Sequence, residues 1–328
     1  MNHMRLPKLT YLEPETIEEV IELKEEFGRQ CAVLAGGTDL IPLLKRRNIS
    51  LTHLINIKRI RGLTEISYSE NRGLSIGAAV TLRDVINHPI CSGSYSVLAE
   101  AAKAVAFNQL RNMATLGGNI CLDSKCTYYN QSELAWKSRA HCFKRGGNIC
   151  YVIRGGTQCY ALSAADAVSA LISLEAELII SGPGQPRRTL VEGFYTGDGL
   201  NPHRLDGNEV VTTILIPPVA NGWRGRFLKK SYRGSADFAI ATLSLLLKGN
   251  GKVIEDLRIA LNGISSKPVR ARQTEAFLTG KRISDGTIKE AVQVLLKEAS
   301  PLSLIGSSAF LRRGMIEAMF ADLMEEAS

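Results

Sequence analysis

Residues 31–44 read CAVLAGGTDLIPLL, a short apolar run that ends abruptly in two glycines. The run is typical of a buried strand, and the glycine pair after it predicts a tight turn. Gly36 and Gly37 allow backbone N–H groups to point at an oxyanion, and the hydroxyl of Thr38 adds a further donor. A turn of this kind is more often structural than functional, so on its own it does not predict a ligand.

A second glycine turn of the same style follows about eighty residues later in the chain. It consists of Thr115, Leu116, Gly117, Gly118 and Asn119. Two small-residue turns that each carry a threonine suit a diphosphate held between them, as in a dinucleotide. Neither turn matches the pattern GxGxxG, so a Rossmann site is disfavoured.

The rest of the N-terminal half predicts a mixture of helices and strands. A capping box at Thr16–Glu19 opens the first helix, and Gly28 is a natural stop for it. The pattern predicts strands at 54–57, 73–80, 175–180 and 210–218, and helices at 81–88, 96–107 and 163–174.

The stretch PPVANGW at 217–223 is the candidate linker, and the pattern changes beyond it. Antiparallel strands are predicted at 238–248 and 253–264, followed by helices at 272–279, 284–299 and 307–326. The fold class is therefore α+β. We expect a mixed N-terminal domain over 1–220 and a C-terminal domain of antiparallel sheet and helices over 221–328.

The composition is that of an ordinary globular protein, with 45 % apolar and 22 % charged residues. No run of about 18 apolar residues occurs, so we expect no membrane span. The N-terminus turns acidic and polar where a signal peptide needs an apolar core, so a cytoplasmic protein is expected. The formal charge of +8 comes without a basic helix, zinc-finger spacing or aromatic–basic sheet motif, so no nucleic-acid partner is expected.

Five of the seven cysteines lie between Cys121 and Cys159, in a polar segment rich in glycine and basic residues. In a reducing compartment, clustered thiols more often bind metal or do redox work than form disulfides. Four of them, separated by 15, 7 and 8 residues, are candidate metal ligands: Cys126, Cys142, Cys150 and Cys159. Four thiolates suit tetrahedral zinc or a 4Fe–4S cluster, and the absence of paired CxxC knuckles favours iron–sulfur. Zinc and free thiols remain the alternatives.

Other residues of the cysteine segment give weaker signals. Cys121 directly follows GGNI, which predicts a place in the wall of a nucleotide site. His141 adjoins Cys142 but is more simply a solvated loop histidine. Six basic residues lie between 124 and 159 against one acid, Glu133. They suit a docking face for an acidic electron carrier such as a ferredoxin, a solvated loop, or the stabilisation of an anionic thiolate cluster. No catalytic acid, base or nucleophile motif stands out, so no catalytic residue is predicted.

Six stretches together resemble the FAD-binding medium subunit of the molybdenum hydroxylase (xanthine oxidase) family. In chain order they are AGGTDLIPLLKRR (35–47), LINIKRIRGL (54–63), LSIGAAVTLRDV (74–85), TLGGNIC (115–121), FLKKSYRGSADFAIATLSLLL (227–247) and LRIALNGISSKPVRARQTEAFLTGK (257–281). The resemblance implies an FAD-binding domain of the vanillyl-alcohol-oxidase type over 1–220. It also implies a C-terminal domain of the CO dehydrogenase flavoprotein type over 221–328.

The resemblance also implies which residues contact FAD. The first pyrophosphate-binding turn is Val33, Leu34, Ala35, Gly36, Gly37, Thr38, Asp39 and Leu40. The second turn is Thr115 to Asn119. Asp166 and Lys229 match positions that touch the flavin or its tail, and Val105 matches an apolar position against the ring system. Each also has a structural interpretation, since Asp166 suits a helix N-terminus and Lys229 a solvated strand.

Residues 121–160 form an insertion, because most members of the family pass from the TLGGN turn directly into a helix. The pattern NxCxDxxCTxYNQSE, followed by three more cysteines, resembles the beta subunit of 4-hydroxybenzoyl-CoA reductase, whose insertion binds a 4Fe–4S cluster. The resemblance implies the same four ligands as the spacing and excludes Cys121.

The function implied by the resemblance is that of an electron-transfer subunit with FAD and a 4Fe–4S cluster. The implied partners are a large molybdopterin subunit and a small subunit with 2Fe–2S clusters, expected as a dimer of heterotrimers. The main expectation is a ferredoxin-driven 4-hydroxybenzoyl-CoA reductase, which dehydroxylates an aromatic CoA thioester. One alternative is the medium subunit of an oxidising molybdenum hydroxylase that acts on an aldehyde, xanthine or another heterocycle. The other is a zinc-stapled flavin-binding module without a redox chain.

Overall fold

The computed structural model of the protein describes residues 5–234, 236–249 and 253–327. Within these ranges the chain forms three sheets, with helices packed between and outside them. No helix in the described ranges is both long and apolar enough to cross a bilayer.

A small parallel sheet begins the chain. Its strand order is β1-β3-β2, with β1 at Thr10–Leu12, β2 at Cys31–Leu34 and β3 at His53–Asn56. Helix α1 (Ile17–Phe27) joins β1 to β2 and begins where the hydroxyl of Thr16 accepts a hydrogen bond from Glu19 N, as the capping box predicts. The glycine turn after β2 leads into the short helix α2 (Leu40–Lys45).

An antiparallel five-stranded sheet forms the centre of the N-terminal half. Its order is β4-β5-β8-β6-β7, with β4 at Ile66–Ser69, β5 at Gly73–Gly77, β6 at Glu177–Ser181, β7 at Arg187–Leu190 and β8 at Val210–Ile216. The helices of this part are α3 (Leu82–Asn87), α4 (Pro89–Ser92), α5 (Ser96–Ala104), α6 (Asn108–Arg111), α7 (Leu116–Ile120), α8 (Glu133–Lys137), α9 (Val168–Ser173) and α10 (Val191–Phe194). Side chains of the sheet and of α3, α5 and α9 share one apolar core.

An antiparallel four-stranded sheet with three helices forms the C-terminal part. Its order is β12-β11-β10-β9, with β9 at Trp223–Lys230, β10 at Ala241–Gly249, β11 at Ile254–Asn262 and β12 at Val269–Arg270. The helices α11 (Arg272–Leu278), α12 (Asp285–Ala299) and α13 (Ala309–Ala327) follow. Leu243 and Leu245 of β10 pack in the core with α12 and α13, whereas Leu246 packs in the N-terminal core. Because successive strand residues point to opposite faces, this sheet is buried on both sides.

Buried hydrogen bonds join the two parts across α9. Ser173 Oγ lies 2.6 Å from Ser244 Oγ, and Ser169 Oγ lies 3.1 Å from Thr242 Oγ1. The amide of Asn262 donates to the carbonyl of Ala165 at 2.8 Å. These bonds fix the C-terminal sheet against the start of α9, where Asp166 lies.

Several sequence predictions were wrong in their bounds or type. The helix predicted at 96–107 ends at Ala104, and the strand predicted at 238–248 begins at Ala241. The helix predicted at 163–174 begins only at Val168, because Ser163 N donates to Ser265 O and Ala167 N donates to Asn119 Oδ1. These tertiary hydrogen bonds hold residues 163–167 outside the helix. The strand predicted at 73–80 ends at Gly77. The second glycine turn forms the short helix α7 instead of an open turn.

Candidate functional site

A cleft of about 670 Å³ is lined by the two glycine turns and by residues 236–238, which lie between β9 and β10. Its volume lies in the range of small-molecule and cofactor sites in proteins. Fourteen of the sixteen predicted cofactor residues line it, including all of residues 33–40. The other two lie just behind the wall: Leu116 is fully buried in the core, and Lys229 bonds to the lining residue Asp166.

The first turn is forced into close contact with the segment that precedes the second. A Cβ on Gly36 would lie 2.0 Å from the carbonyl oxygen of Met113, well inside the distance that any real side chain tolerates. Gly37 has a φ of +70°, a conformation that favours glycine. The two glycines of the predicted pair are therefore required for different reasons. Gly36 leaves no room for a side chain, and Gly37 has a backbone conformation that favours glycine.

The second turn is capped and tightly packed. The hydroxyl of Thr115 accepts a hydrogen bond from Gly118 N at 3.0 Å and so caps the first turn of α7. A Cβ on Gly117 would lie 2.6 Å from the Cβ of Ala78, and Gly117 N donates to Ala78 O at 3.0 Å. The close backbone approach predicted from the sequence is confirmed, although it occurs within a helix.

Asp166 and Lys229 form a buried ion pair at the wall of the cleft. Their Oδ2 and Nζ atoms lie 2.6 Å apart, and the ammonium also donates to the carbonyls of Ala104 at 3.0 Å and Asp237 at 2.8 Å. Burial raises the pKa of Asp166 to about 6, and the neighbouring Lys229 charge opposes the rise. The other carboxylate oxygen, Oδ1, is buried without a partner in the described structure.

Asp166 lines the cleft, but Oδ1 itself is shielded from solvent, so a hydrogen-bond donor of a ligand would reach it only after a small rotation of the side chain. Burying a polar atom without a partner costs about 1–3 kcal/mol, so such atoms call for an explanation. FAD offers N–H and hydroxyl donors along its ring and its tail. Val105, which caps the end of α5, and the half-exposed Phe238 line the same cleft and offer apolar contact to a ring system.

Sequence reasoning missed several residues of the cleft, among them Lys24, Asp123, Leu205, Glu209, Asp237 and Phe238. Asp123, Asp237 and Phe238 lie in stretches that carry the family resemblance, but no local pattern marks any of the six as part of a site. They come from distant segments, so only the tertiary fold brings them together. Cys121 also lines the cleft, as its position after GGNI predicts. Burial raises the pKa of its thiol to about 12, so the group stays a neutral thiol.

The four candidate metal ligands line one small cavity on the far side of residues 121–126. Its walls contain Cys126, Cys142, Cys150 and Cys159 together with Tyr128, Tyr129, Phe143 and Tyr151. The carbonyl of Cys142 accepts hydrogen bonds from Arg145 N at 2.7 Å and Gly147 N at 3.0 Å, so the segment folds back on itself there. His141 is exposed and does not line the cavity, as the sequence predicts.

The four thiols of this cavity are a suitable ligand set for a metal centre, but the cavity is too small to contain one. All four side chains are thiols that face a common space, but its free volume is only about 10 Å³. Among the described residues, no three His, Cys, Asp or Glu side chains are grouped closely enough to hold a metal ion. A cluster therefore requires the segment to open around it.

Comparison with known proteins explains the cleft. Residues 7–219 match a family described as the FAD binding domain in molybdopterin dehydrogenase, and residues 226–327 match the CO dehydrogenase flavoprotein C-terminal domain. The chain belongs to the FAD-binding medium subunits of the molybdenum hydroxylase family. For a member of this family, the cleft lined by both glycine turns is the candidate FAD site.

Three relatives span most or all of the chain. The glyceraldehyde dehydrogenase medium chain of Sulfolobus acidocaldarius is 27 % identical over 98 % of this chain and 99 % of its own. The carbon monoxide dehydrogenase medium chain of Hydrogenophaga pseudoflava is 28 % identical over 95 % of this chain and 94 % of its own. An aldehyde oxidoreductase FAD-binding subunit of Escherichia coli is 30 % identical over 75 % of this chain and 78 % of its own.

Solved structures match the fold over nearly the whole chain. A carbon monoxide dehydrogenase from Hydrogenophaga pseudoflava superposes with a TM-score of 0.80 at 26 % identity, covering 97 % of this chain and 96 % of its own. A quinoline 2-oxidoreductase from Pseudomonas putida 86 shares the fold with a TM-score of 0.80 at 24 % identity, covering 99 % and 98 %. None of these descriptions names an iron–sulfur insertion or the reduction of an aromatic CoA thioester. Both therefore stay predictions from the resemblance.

Proposed function

We propose that this member of the family holds FAD between its two glycine turns and transfers electrons within a molybdenum hydroxylase that oxidises its substrate. The observation that carries the proposal is the position of both glycine turns and Asp166 in the lining of one cleft. When bound, FAD supplies a redox group that accepts electron pairs and single electrons.

The residues of this chain bind and orient the cofactor. Gly36 and Gly117 let the two turns pack closely against Met113 and Ala78, and the walls shaped in this way would hold the diphosphate. Asp166 accepts a hydrogen bond from the flavin or its tail, and Lys229 holds the carboxylate in position through its bonds to Ala104 and Asp237. Val105 packs against the ring system.

Oxidation of an aldehyde or a related small substrate is the direction that the relatives favour. Glyceraldehyde dehydrogenase, carbon monoxide dehydrogenase and an aldehyde oxidoreductase are all named for oxidations. Two of these relatives are named medium chains. We therefore propose a large molybdopterin subunit and a small 2Fe–2S subunit as partners, in a dimer of heterotrimers in the cytoplasm. Substrate conversion takes place on the large subunit.

We also propose that the four thiols of the cysteine cavity hold a 4Fe–4S cluster. Support comes from the spacing of Cys126, Cys142, Cys150 and Cys159 without paired knuckles and from their place in the lining of one cavity, although that cavity must open to admit a cluster. A bound cluster would supply a one-electron carrier on this chain, with aromatic side chains such as Tyr129 and Phe143 beside it.

A second candidate function is a ferredoxin-driven reductase of the 4-hydroxybenzoyl-CoA type. The cysteine cavity is the observation that favours it, because a further cluster offers an entry point for electrons from outside. The exposed basic side chains of the segment, Lys137 and Arg154, suit an acidic ferredoxin, whereas Lys125 and Lys144 are mostly buried in ion pairs. A zinc-stapled module is the remaining alternative, and its four thiolates would come from the same cavity.

Metal and flavin analysis tests the cofactor part of the proposal. Anaerobically purified protein should contain FAD, iron and acid-labile sulfide, with an iron–sulfur absorption band near about 400 nm. Protein that contains zinc but no acid-labile sulfide would instead establish the zinc-stapled flavin-binding module. Protein that binds neither iron nor zinc would refute the metal site but leave FAD binding intact.

The direction of the reaction is tested on the whole complex. We expect the complex purified with its co-expressed partner chains to reduce an artificial electron acceptor when an aldehyde is supplied. The alternative outcome is turnover of 4-hydroxybenzoyl-CoA with a reduced ferredoxin, which would establish the reductase. A chain that purifies alone, without any partner subunit, would contradict both candidates.

A further inference from the structure

The FAD cleft is lined by an excess of carboxylates. Five acidic side chains line it, with Lys24 as the one lysine or arginine among its described lining residues: Asp39, Asp123, Asp166, Glu209 and Asp237. The diphosphate of FAD is itself anionic at neutral pH. Like charges this close together oppose binding strongly in a partly desolvated site unless counter-charges lie next to them.

Each of these carboxylates forms an ion pair with a lysine or arginine that is not among the described lining residues of the cleft. Asp166 pairs with Lys229, Glu209 with Arg187, and Asp237 with Arg233. The partners of Asp39 and Asp123 are Lys125 and Lys144. Both of these lysines belong to the cysteine segment, residues 121–160, so that segment neutralises two of the five charges.

Lys125 is held against the first glycine turn. Its Nζ lies 2.6 Å from Asp39 Oδ1, and its side chain is 14 % exposed. The backbone of Lys125 is fixed by two hydrogen bonds of 2.8 Å to the backbone of Leu162. Asp39 directly precedes α2, so this ion pair joins the cysteine segment to the pyrophosphate turn.

Lys144 makes the second connection and is more deeply buried, with 5 % of its side chain exposed. Its ammonium donates to both carboxylate oxygens of Asp123 at 2.8 Å and to Ser124 O at 3.1 Å, which uses all three of its N–H groups. It also lies 5.2 Å from the ring centre of Tyr129, in the wall of the cysteine cavity. In this ion pair, Asp123 therefore lines the FAD cleft, whereas Lys144 lies beside the four thiols.

We propose that Lys125 and Lys144 are positioning residues that complete the FAD site by neutralising Asp39 and Asp123. The cysteine segment is then a structural part of the flavin site. Because linkage is reciprocal, FAD binding stabilises the fold of the cysteine segment as much as the folded segment favours FAD. The inference rests on FAD binding in this cleft, which is part of the proposed function, and it does not depend on the metal.

The first experiment measures the affinity of flavin-free, full-length protein for FAD by equilibrium titration. Lys144→Met leaves the Asp123 carboxylate uncompensated at the cleft wall, so the FAD dissociation constant should rise roughly tenfold. Lys125→Met should act in the same direction through Asp39. Arg154→Met is the matched control, because Arg154 lies in the same segment, carries the same charge and is exposed away from the cleft.

A double variant separates charge from folding. Asp123→Asn combined with Lys144→Met removes both charges and should bring the FAD dissociation constant back to within about twofold of the wild-type value. A double variant that binds FAD no better than Lys144→Met would overturn the proposal. So would lysine variants that bind FAD as tightly as Arg154→Met. If the Lys144 variants do not fold, the FAD dissociation constants of Lys125→Met and of the conservative Lys125→Arg are compared instead.

The second experiment measures hydrogen–deuterium exchange in the cysteine segment. FAD added to the flavin-free wild-type protein should slow the exchange of amides in residues 142–150, and Lys144→Met should abolish that protection. Unchanged exchange on FAD addition overturns the coupling. A wild-type protein that binds no FAD at all refutes the proposed function itself, whereas FAD binding without any lysine effect refutes only this inference.

Discussion

Lys229 and Asp166 lie 63 positions apart in the sequence and meet at the wall of the flavin cleft with 2.6 Å between Nζ and Oδ2. The lysine is on β9 of the C-terminal sheet, and the aspartate precedes α9 in the N-terminal part. The cleft is therefore completed only when the two parts of the chain pack together. The lysine holds one oxygen of the carboxylate, whereas Oδ1 has no partner among the described residues.

The pKa of Asp166 predicts a specific pH dependence of stability. Because this pKa is raised from 3.8 to about 6, the native state holds the proton more strongly than the unfolded chain between these values. Raising the pH from about 4 to about 7 should therefore lower the free energy of unfolding of the flavin-free protein, by at most about 3 kcal/mol from this group. Asp166→Asn should lose this contribution. Chemical unfolding of both proteins across the pH range provides the measurement, and a difference between them that is constant with pH would contradict the prediction.

Gly36 should not tolerate a side chain. Gly36→Ala places a methyl group 2.0 Å from Met113 O, so the two segments must separate. We expect a loss of about 1–3 kcal/mol in the free energy of unfolding and protein that purifies poor in FAD. Gly207→Ala is the control, since a Cβ there meets open space. Full FAD occupancy in Gly36→Ala would refute the pyrophosphate assignment.

The cap of α7 should contribute to FAD binding. Thr115→Ala removes the acceptor for Gly118 N and should lower the free energy of unfolding by about 1 kcal/mol, with weaker FAD binding because the second turn loosens. Thr115→Ser keeps the hydroxyl and should retain both properties. Urea unfolding and FAD titration of the two variants provide the comparison. Equal behaviour of alanine and serine would show that the hydroxyl has no role.

The cysteines should differ in their effect on iron content. Cys142→Ser and Cys150→Ser should lower the iron bound per FAD, because each removes a thiol that lines the cavity. Cys121→Ser is the control, since Cys121 lines the FAD cleft instead. Iron loss in the Cys121 variant alone would show that the ligand set is wrong.

Local sequence patterns predicted most of the elements because their signals are short in range. These signals depend on residues within one turn or one strand. Examples are the capping hydroxyl of Thr16, the glycine pair after β2 and the apolar residues of β10 and β11. The start of α9 could not be predicted this way. Its preceding amides are bonded to Ser265 and Asn119, which lie far away in the sequence.

The sequence by itself determined the order of helices and strands, the two glycine turns and the clustering of the cysteines, since these follow from side-chain chemistry between near neighbours. Only the tertiary structure decided that Asp166 meets Lys229 and that its Oδ1 has no partner among the described residues. It also decided that Lys125, 86 positions from Asp39, forms an ion pair with it. Ion pairs, and buried polar atoms without a hydrogen-bond partner, depend on which distant segments pack together away from solvent. A local sequence pattern contains no information about that packing.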